Sequence, residues 1–193
     1  MLSMSEPLLR AACVAGVCLI SACGGGGSDG AAPALPTGAT ASASASAADC
    51  GIPGFASTAL ARINQARAAG ASCGARGSFA PAAAVRWNDA LAEAAAAHSL
   101  DMATLNYFSH TSADGRSLAD RVDAAGYAWS ALGENIAAGQ VGIDAVVDGW
   151  MRSDGHCANL MDPAFEAIGL ACVPGSSGSA YRTYWTLDLA RAR

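Results

Sequence analysis

Apolar residues recur at helical spacing in four stretches of the chain. Leu60, Ile63 and Arg67 share one face of a segment that ends at Gly70, and after Asn88 the positions Leu91, Ala94, Ala95, His98, Met102 and Leu105 form a second stripe. A third helix is predicted to open at Ser117-Leu118-Ala119-Asp120, a capping box with Asp in place of the usual Glu; it turns Leu118, Val122 and Ala125 inward and stops at Gly126. The fourth runs from Asp144 to Arg152, with Val146, Val147 and Trp150 available to a core. Three segments read as strands: Gly133 to Ala138, Ala167 to Val173, and Tyr181 to Leu189, where Tyr181, Thr183, Trp185, Leu187 and Leu189 alternate with Arg182, Tyr184, Thr186 and Asp188. Helices flanking a small sheet give an α+β fold.

The first 49 residues follow another rule. Arg10 precedes an apolar run from Ala11 to Ile20, too short to span a bilayer but of the right length for a signal-peptide core. Ile20-Ser21-Ala22-Cys23 resembles a bacterial lipobox, in which Cys23 is lipidated and becomes the mature N-terminus; Gly24, where an Asp would retain the protein, resembles a signal for outer-membrane sorting. Residues 24–49 are rich in Gly, Ala, Ser and Pro and offer no large side chain but Leu35, so nothing offsets the entropy of ordering them. Three regions are therefore expected: a lipoprotein signal peptide over 1–23, a tether over 24–49, and one folded domain over 50–193. The tether would hold that domain just off a membrane, the chain being an exported lipoprotein of the outer membrane that faces the periplasm or the cell surface.

Charge and cysteine content narrow the function. The chain has 11 basic residues, all arginine, against 16 acidic ones, a net charge of −5 with no basic run, which argues against nucleic acid as a partner. Of seven cysteines, Cys13 and Cys18 leave with the signal peptide and Cys23 would carry lipid. The remaining four, Cys50, Cys73, Cys157 and Cys172, form an even set in an exported domain, which suggests disulfides. Three pairings exist; Cys50 with Cys73 and Cys157 with Cys172 is preferred because each closes a short loop. A four-cysteine zinc site competes poorly for lack of close cysteine pairs, and free core thiols are the remaining alternative.

The three histidines carry the candidate chemistry. His98 lies on the apolar stripe of its helix and reads as a core histidine supporting the site. His110, in Ser109-His110-Thr111-Ser112-Ala113-Asp114-Gly115, and His156, in Gly155-His156-Cys157-Ala158-Asn159, are placed where helices give way to loops. Glu134 enters a short apolar strand, where a carboxylate must be paired or hydrogen-bonded. Brought together, His110, Glu134 and His156 would make the minimum set for a divalent cation or for acid–base work.

The same residues carry a resemblance. Trp87-Asn88-Asp89-Ala90-Leu91-Ala92, Phe108-Ser109-His110, Asp120-Arg121-Val122, Gly133-Glu134-Asn135-Ile136-Ala137, Gly149-Trp150-Met151, Gly155-His156-Cys157-Ala158-Asn159 and Tyr184-Trp185-Thr186 resemble, in order and spacing, the bacterial branch of the CAP superfamily (cysteine-rich secretory, antigen 5 and pathogenesis-related type 1 proteins). The resemblance implies a three-layer α-β-α sandwich with a small, mainly antiparallel sheet, and places His110, Glu134 and His156 in a cavity that in some members takes up a divalent cation such as zinc. Where animal members commonly add a second cavity glutamate, this chain has Ser153, with Asp154 next to it, which weakens metal binding and proton transfer alike. No Gly-x-Ser-x-Gly elbow or free thiol replaces the missing group. The expected function is a membrane-tethered module whose cleft (His110, Glu134, Ser153, His156) binds a small apolar, glycan or peptide ligand, in keeping with lipid binding as a family property, with no cofactor beyond a weakly held divalent cation. The alternative is a metal-assisted hydrolase, peptidase or esterase-like, with His110 and His156 as ligands and Glu134 as third ligand or catalytic base.

Overall fold

The computed structural model describes residues 48–193. The signal peptide expected over 1–23, its lipidated Cys23 and most of the tether lie outside the described residues. Ala48 and Asp49, assigned to the tether, belong to the fold: Cys172 donates its N–H to the Ala48 carbonyl and Asp49 bridges to Cys172 in parallel.

Among the described residues, five helices and six strands follow in the order α1 (Phe55–Ala69), β1 (Ala71–Ser72), β2 (Ser78–Phe79), β3 (Arg86–Trp87), α2 (Asp89–Leu105), α3 (Leu118–Ala124), β4 (Trp129–Ala138), α4 (Ile143–Met151), α5 (Asp154–Met161), β5 (Ala167–Pro174) and β6 (Thr183–Ala192). The main sheet has the order β3-β5-β6-β4; β3 runs parallel to β5 and the other pairs are antiparallel. α2 and α3 cover one face of it, and α1, α4 and α5 cover the other. This is the three-layer α-β-α sandwich that the resemblance implied.

The first helix layer lies unusually close to the sheet. α2 buries Leu91, Ala94, Ala95, His98, Ser99, Met102 and Ala103, mostly small side chains, and at Gly169 of β5 a β-carbon would overlap the backbone of Leu91 and Ala92. Asn88 caps the start of α2 by accepting from the Leu91 N–H, and Asn106 ends it in the left-handed region at φ 54°. Leu105, counted on the stripe, is exposed at this end. On α3 both bonds of the Ser117–Asp120 capping box form, as the sequence predicts. The opposite layer holds the larger core, with Ile63, Val146, Val147, Trp150, Leu160, Ile168, Trp185, Leu187 and Leu189 in one cluster.

The alternation read along Tyr181–Leu189 does not separate an inner from an outer face. β6 is a central strand covered on both sides, so Tyr184, Thr186 and Asp188 are as buried as Trp185, Leu187 and Leu189.

The disulfides are not the short-loop pairs. Cys50 is bonded to Cys172 and Cys73 to Cys157, at sequence separations of 122 and 84. Tertiary pairing decides this: the 48–50 segment runs beside β5, which puts Cys50 against Cys172, and Asp154 at the start of α5 accepts from the Ala75 N–H, which brings Cys157 to Cys73. Each bridge joins the N-terminal half of the domain to its C-terminal half.

Candidate functional site

β4 is an edge strand, and its free edge is where the two helical layers meet. Successive residues of a strand point to opposite faces. Glu134 accordingly turns toward α3, whereas Asn135 turns toward α5, where its side-chain amide donates to the His156 carbonyl at 3.0 Å. Asn159 of α5 completes the junction by donating to the Glu134 carbonyl at 3.2 Å and to the Asn135 side-chain oxygen at 3.0 Å. Backbone acceptors at the strand edge are thus covered by a helix rather than left for another chain.

Glu134 and Arg121 form the buried centre. Arg121 Nη2 donates to Glu134 Oε2 at 2.5 Å, with both side chains almost wholly withdrawn from solvent. The same guanidinium, through Nη1, donates to the His110 carbonyl, the Ser112 hydroxyl and the Arg116 carbonyl. One arginine therefore neutralises the carboxylate and shapes the 110–116 loop, a task for which its planar fork suits it and a lysine would not.

His110 leans on the other carboxylate oxygen, Nδ1 to Oε1 at 2.6 Å, while its side chain stays 57% exposed. A carboxylate can only accept, so Nδ1 carries the hydrogen of this bond. His98 lies beneath the same loop, fully buried. Its Nε2 donates to the Ser109 carbonyl at 2.9 Å and its Nδ1 faces the Ser112 hydroxyl. Burial, more than any neighbouring charge, lowers its pKa and keeps it neutral. It supports the loop that bears His110, as its place on the α2 stripe suggested.

His156 lies in the first turn of α5, half-buried, with its pKa lowered by burial first and by the charge of nearby His110 second. The structure thus brings His110, Glu134 and His156 to the same edge of β4. Ser153 is the N-cap of α5, and its side chain does not cap the helix.

The donor set does not suit a metal. Both oxygens of Glu134 are taken, one by Arg121 and one by His110, which leaves two imidazole nitrogens where a zinc site takes three or four protein ligands. Among the described residues no three of His, Cys, Asp and Glu are grouped so as to hold a metal ion.

Two residues escaped the sequence reading. Arg121 occupies the apolar stripe of α3, at i+3 from Leu118 and i+4 before Ala125, and a charged side chain in such a stripe signals a buried anion to pair with. Asp188 interrupts an apolar strand directly across from Glu134. Burial, and then the charge of Glu134, raises its pKa well above the usual carboxyl range.

Comparison with known proteins agrees with this architecture. The chain is 39% identical over 90 residues to the uncharacterized protein YkwD and 39% identical over 88 residues to the uncharacterized membrane protein YlbC, both of Bacillus subtilis strain 168. The matches take in 47% and 46% of this chain but only 35% and 25% of those proteins. Among solved structures, an extracellular protein containing an SCP domain from Bacillus anthracis superposes with a TM-score of 0.50 at 32% identity, over 57% of this chain and 34% of that one. An outer surface protein of Borrelia burgdorferi, at 16% identity and a TM-score of 0.51 over 56% of this chain and 78% of its own, shares the fold. The model of the cysteine-rich secretory protein family, CAP, matches residues 60–189, about two thirds of the chain, and with the sandwich in place the chain belongs to that family.

Proposed function

We propose that the protein is an exported binding module whose cleft, at the edge of β4, takes a small apolar, glycan or peptide ligand through His110 and His156. The observation that carries this reading is the fate of Glu134. Its charge is consumed inside the protein by Arg121 and His110, so it serves to hold an imidazole outward rather than to attack or ligate anything itself. Imidazole nitrogens are hydrogen-bonding groups, which favours a glycan or peptide over a purely apolar ligand. Metal-assisted hydrolysis in the same cleft would need Glu134 as ligand or base, and both of its oxygens are engaged.

Export is supported by two cross-links of the kind that persist in oxidising compartments and by the likeness to an extracellular SCP-domain protein. A lipid anchor at Cys23, holding the domain to the outer membrane, completes the proposal. Cys23→Ser should then release the protein from the membrane fraction, and unchanged processing and fractionation would make it an ordinary secreted protein.

The binding reading is tested by native mass spectrometry of the purified protein for co-purifying molecules, followed by titration with chitooligosaccharides, short peptides and palmitate. One class is expected to bind the parent and to bind His110→Ala and His156→Ala at least tenfold more weakly. A ligand held equally well by all three proteins would place binding elsewhere, and turnover of an ester or peptide by the metal-supplied parent, lost in Glu134→Gln, would favour the hydrolase.

A further inference from the structure

Asp188 poses a problem that the cleft as described does not solve. Its side chain is 0% exposed, and neither carboxyl oxygen meets a donor within hydrogen-bonding distance. An ionised carboxylate in that condition is among the costliest groups a protein can bury.

The surroundings define its options. Across the β4–β6 ladder Asp188 is the register partner of Glu134, so the two carboxyls share the α2/α3 face of the sheet. On the β5 side its register partner is Gly169, which has no side chain to offer. From α2 the polar groups on this face are Ser99, whose hydroxyl donates to Thr186 of β6, and His98, which is neutral and bonded to the Ser109 carbonyl. From α3 comes Arg121, whose Nη1 and Nη2 are engaged by the 110–116 loop and by Glu134, while its Nε is buried with no partner, Asp188 included. This layer therefore buries two carboxyl groups against a single guanidinium. The one buried cation balances one anion, His110 being at the exposed rim, and a proton on the second carboxyl group would complete the balance.

We propose that Asp188 is a positioning residue of the cleft: it stays a neutral carboxylic acid and donates its hydroxyl hydrogen to Glu134, which is thereby fixed by three donors, Arg121, His110 and Asp188. Glu134 keeps the charge because it is the member held by Arg121. Asp188 keeps the proton because it has no donor of its own. Burial of Asp188 and the neighbouring charge of Glu134 both act in this direction, and the charge of Arg121 opposes them. The consequence for function is orientation: the carboxylate plane of Glu134 is pinned from the neighbouring strand, and His110, hung on its Oε1, is held at the rim of the cleft. The cleft is in this state before any ligand enters, so the outcome does not depend on which ligand it takes.

The parent protein, labelled with ¹³C at aspartate side-chain carboxyls, supplies the first test. Infrared and ¹³C NMR spectra at pH 7 should contain one aspartic acid signal that is absent from Asp188→Asn. If every aspartate reads as carboxylate at pH 7, the proposal is wrong. Glu134→Gln supplies the second: with that anion gone, Asp188 should become the partner of Arg121 and lose its acid signal, whereas persistence of the signal would refute the charge balance. Orientation is read from the ring-nitrogen signals of His110. They should stay as in the parent in Asp188→Asn, whose amide can still donate, and lose the protonated-Nδ1 pattern in Asp188→Leu. Parent-like His110 signals in a folded Asp188→Leu would overturn the positioning role; should that variant not fold, the first two tests still decide the proton's place.

Discussion

Removing the Cys50–Cys172 bridge should cost about 4 kcal/mol, and the figure follows from how the two disulfides nest. Alone, a cross-link over a separation of 122 residues would restrict the unfolded chain by about 4.9 kcal/mol on the chain-entropy relation, and one over 84 by about 4.6 kcal/mol. The second loop lies inside the first. With Cys73–Cys157 intact, the outer bridge closes a path of only about 38 residues, the segments 50–73 and 157–172, worth about 3.9 kcal/mol. Against a domain stability of about 5–15 kcal/mol this is a large share. The assay is guanidinium unfolding, without reductant, of the parent and of Cys50→Ala/Cys172→Ala. The midpoint should fall, and the m-value should rise as the freed chain ends expand. A loss below about 1 kcal/mol would refute the nested-loop reasoning, and peptide mapping that pairs Cys50 with Cys73 would remove its premise.

Arg121→Ala should destabilise the protein by about 3–5 kcal/mol, because it strands the buried charge of Glu134, and Arg121→Lys should recover little of it; thermal unfolding and amide exchange across residues 110–116 would show both. The stability of the parent relative to Asp188→Asn should decline as pH rises from about 4, by up to about 1.4 kcal/mol per unit. The sign follows from the raised pKa: above the unfolded value the native state holds a proton that the unfolded chain has released. A pH-independent difference in urea titrations would contradict it. His98 has the opposite sign, since its lowered native pKa lets the unfolded chain bind a proton first; stability should fall as pH drops below about 6.5, and His98→Gln should flatten that limb. Gly169→Ala should lower the melting temperature sharply, the added methyl group costing about 1–3 kcal/mol or more by forcing α2 off the sheet.

Much of this was legible in the chain, and the exceptions have physical causes. α1 to α4 follow from apolar spacing and from the Ser117–Asp120 cap, because those helices bury one stripe each. α5 leaves no such trace: in eight residues it buries only Cys157, Leu160 and Met161 and is held by a disulfide and by Asn159, so His156 reads as loop though it lies in a helical turn. The disulfide partners depend on which strand the 48–50 segment runs beside, and local spacing carries no record of that. His110, Glu134 and His156 stand out because ionisable groups are scarce in so apolar a chain. Their organiser was visible too, since Arg121 interrupts the stripe of α3; what the sequence could not show is that its partner is Glu134. Asp188 was hidden by alternation that implied two different faces on a strand buried on both.

On the proposed function, His110 and His156 form the ligand-contacting rim of a site whose buried Glu134 is held by Arg121. The chain has three histidines, so ¹⁵N-histidine labelling yields three assignable imidazoles in one sample. On titration with the ligand class identified by capture, the ring signals of His110 and His156 should move together and saturate at the binding constant, while those of His98, sealed beneath Ser109 and Ser112, stay in place. Saturation with neither His110 nor His156 perturbed would contradict the proposed site.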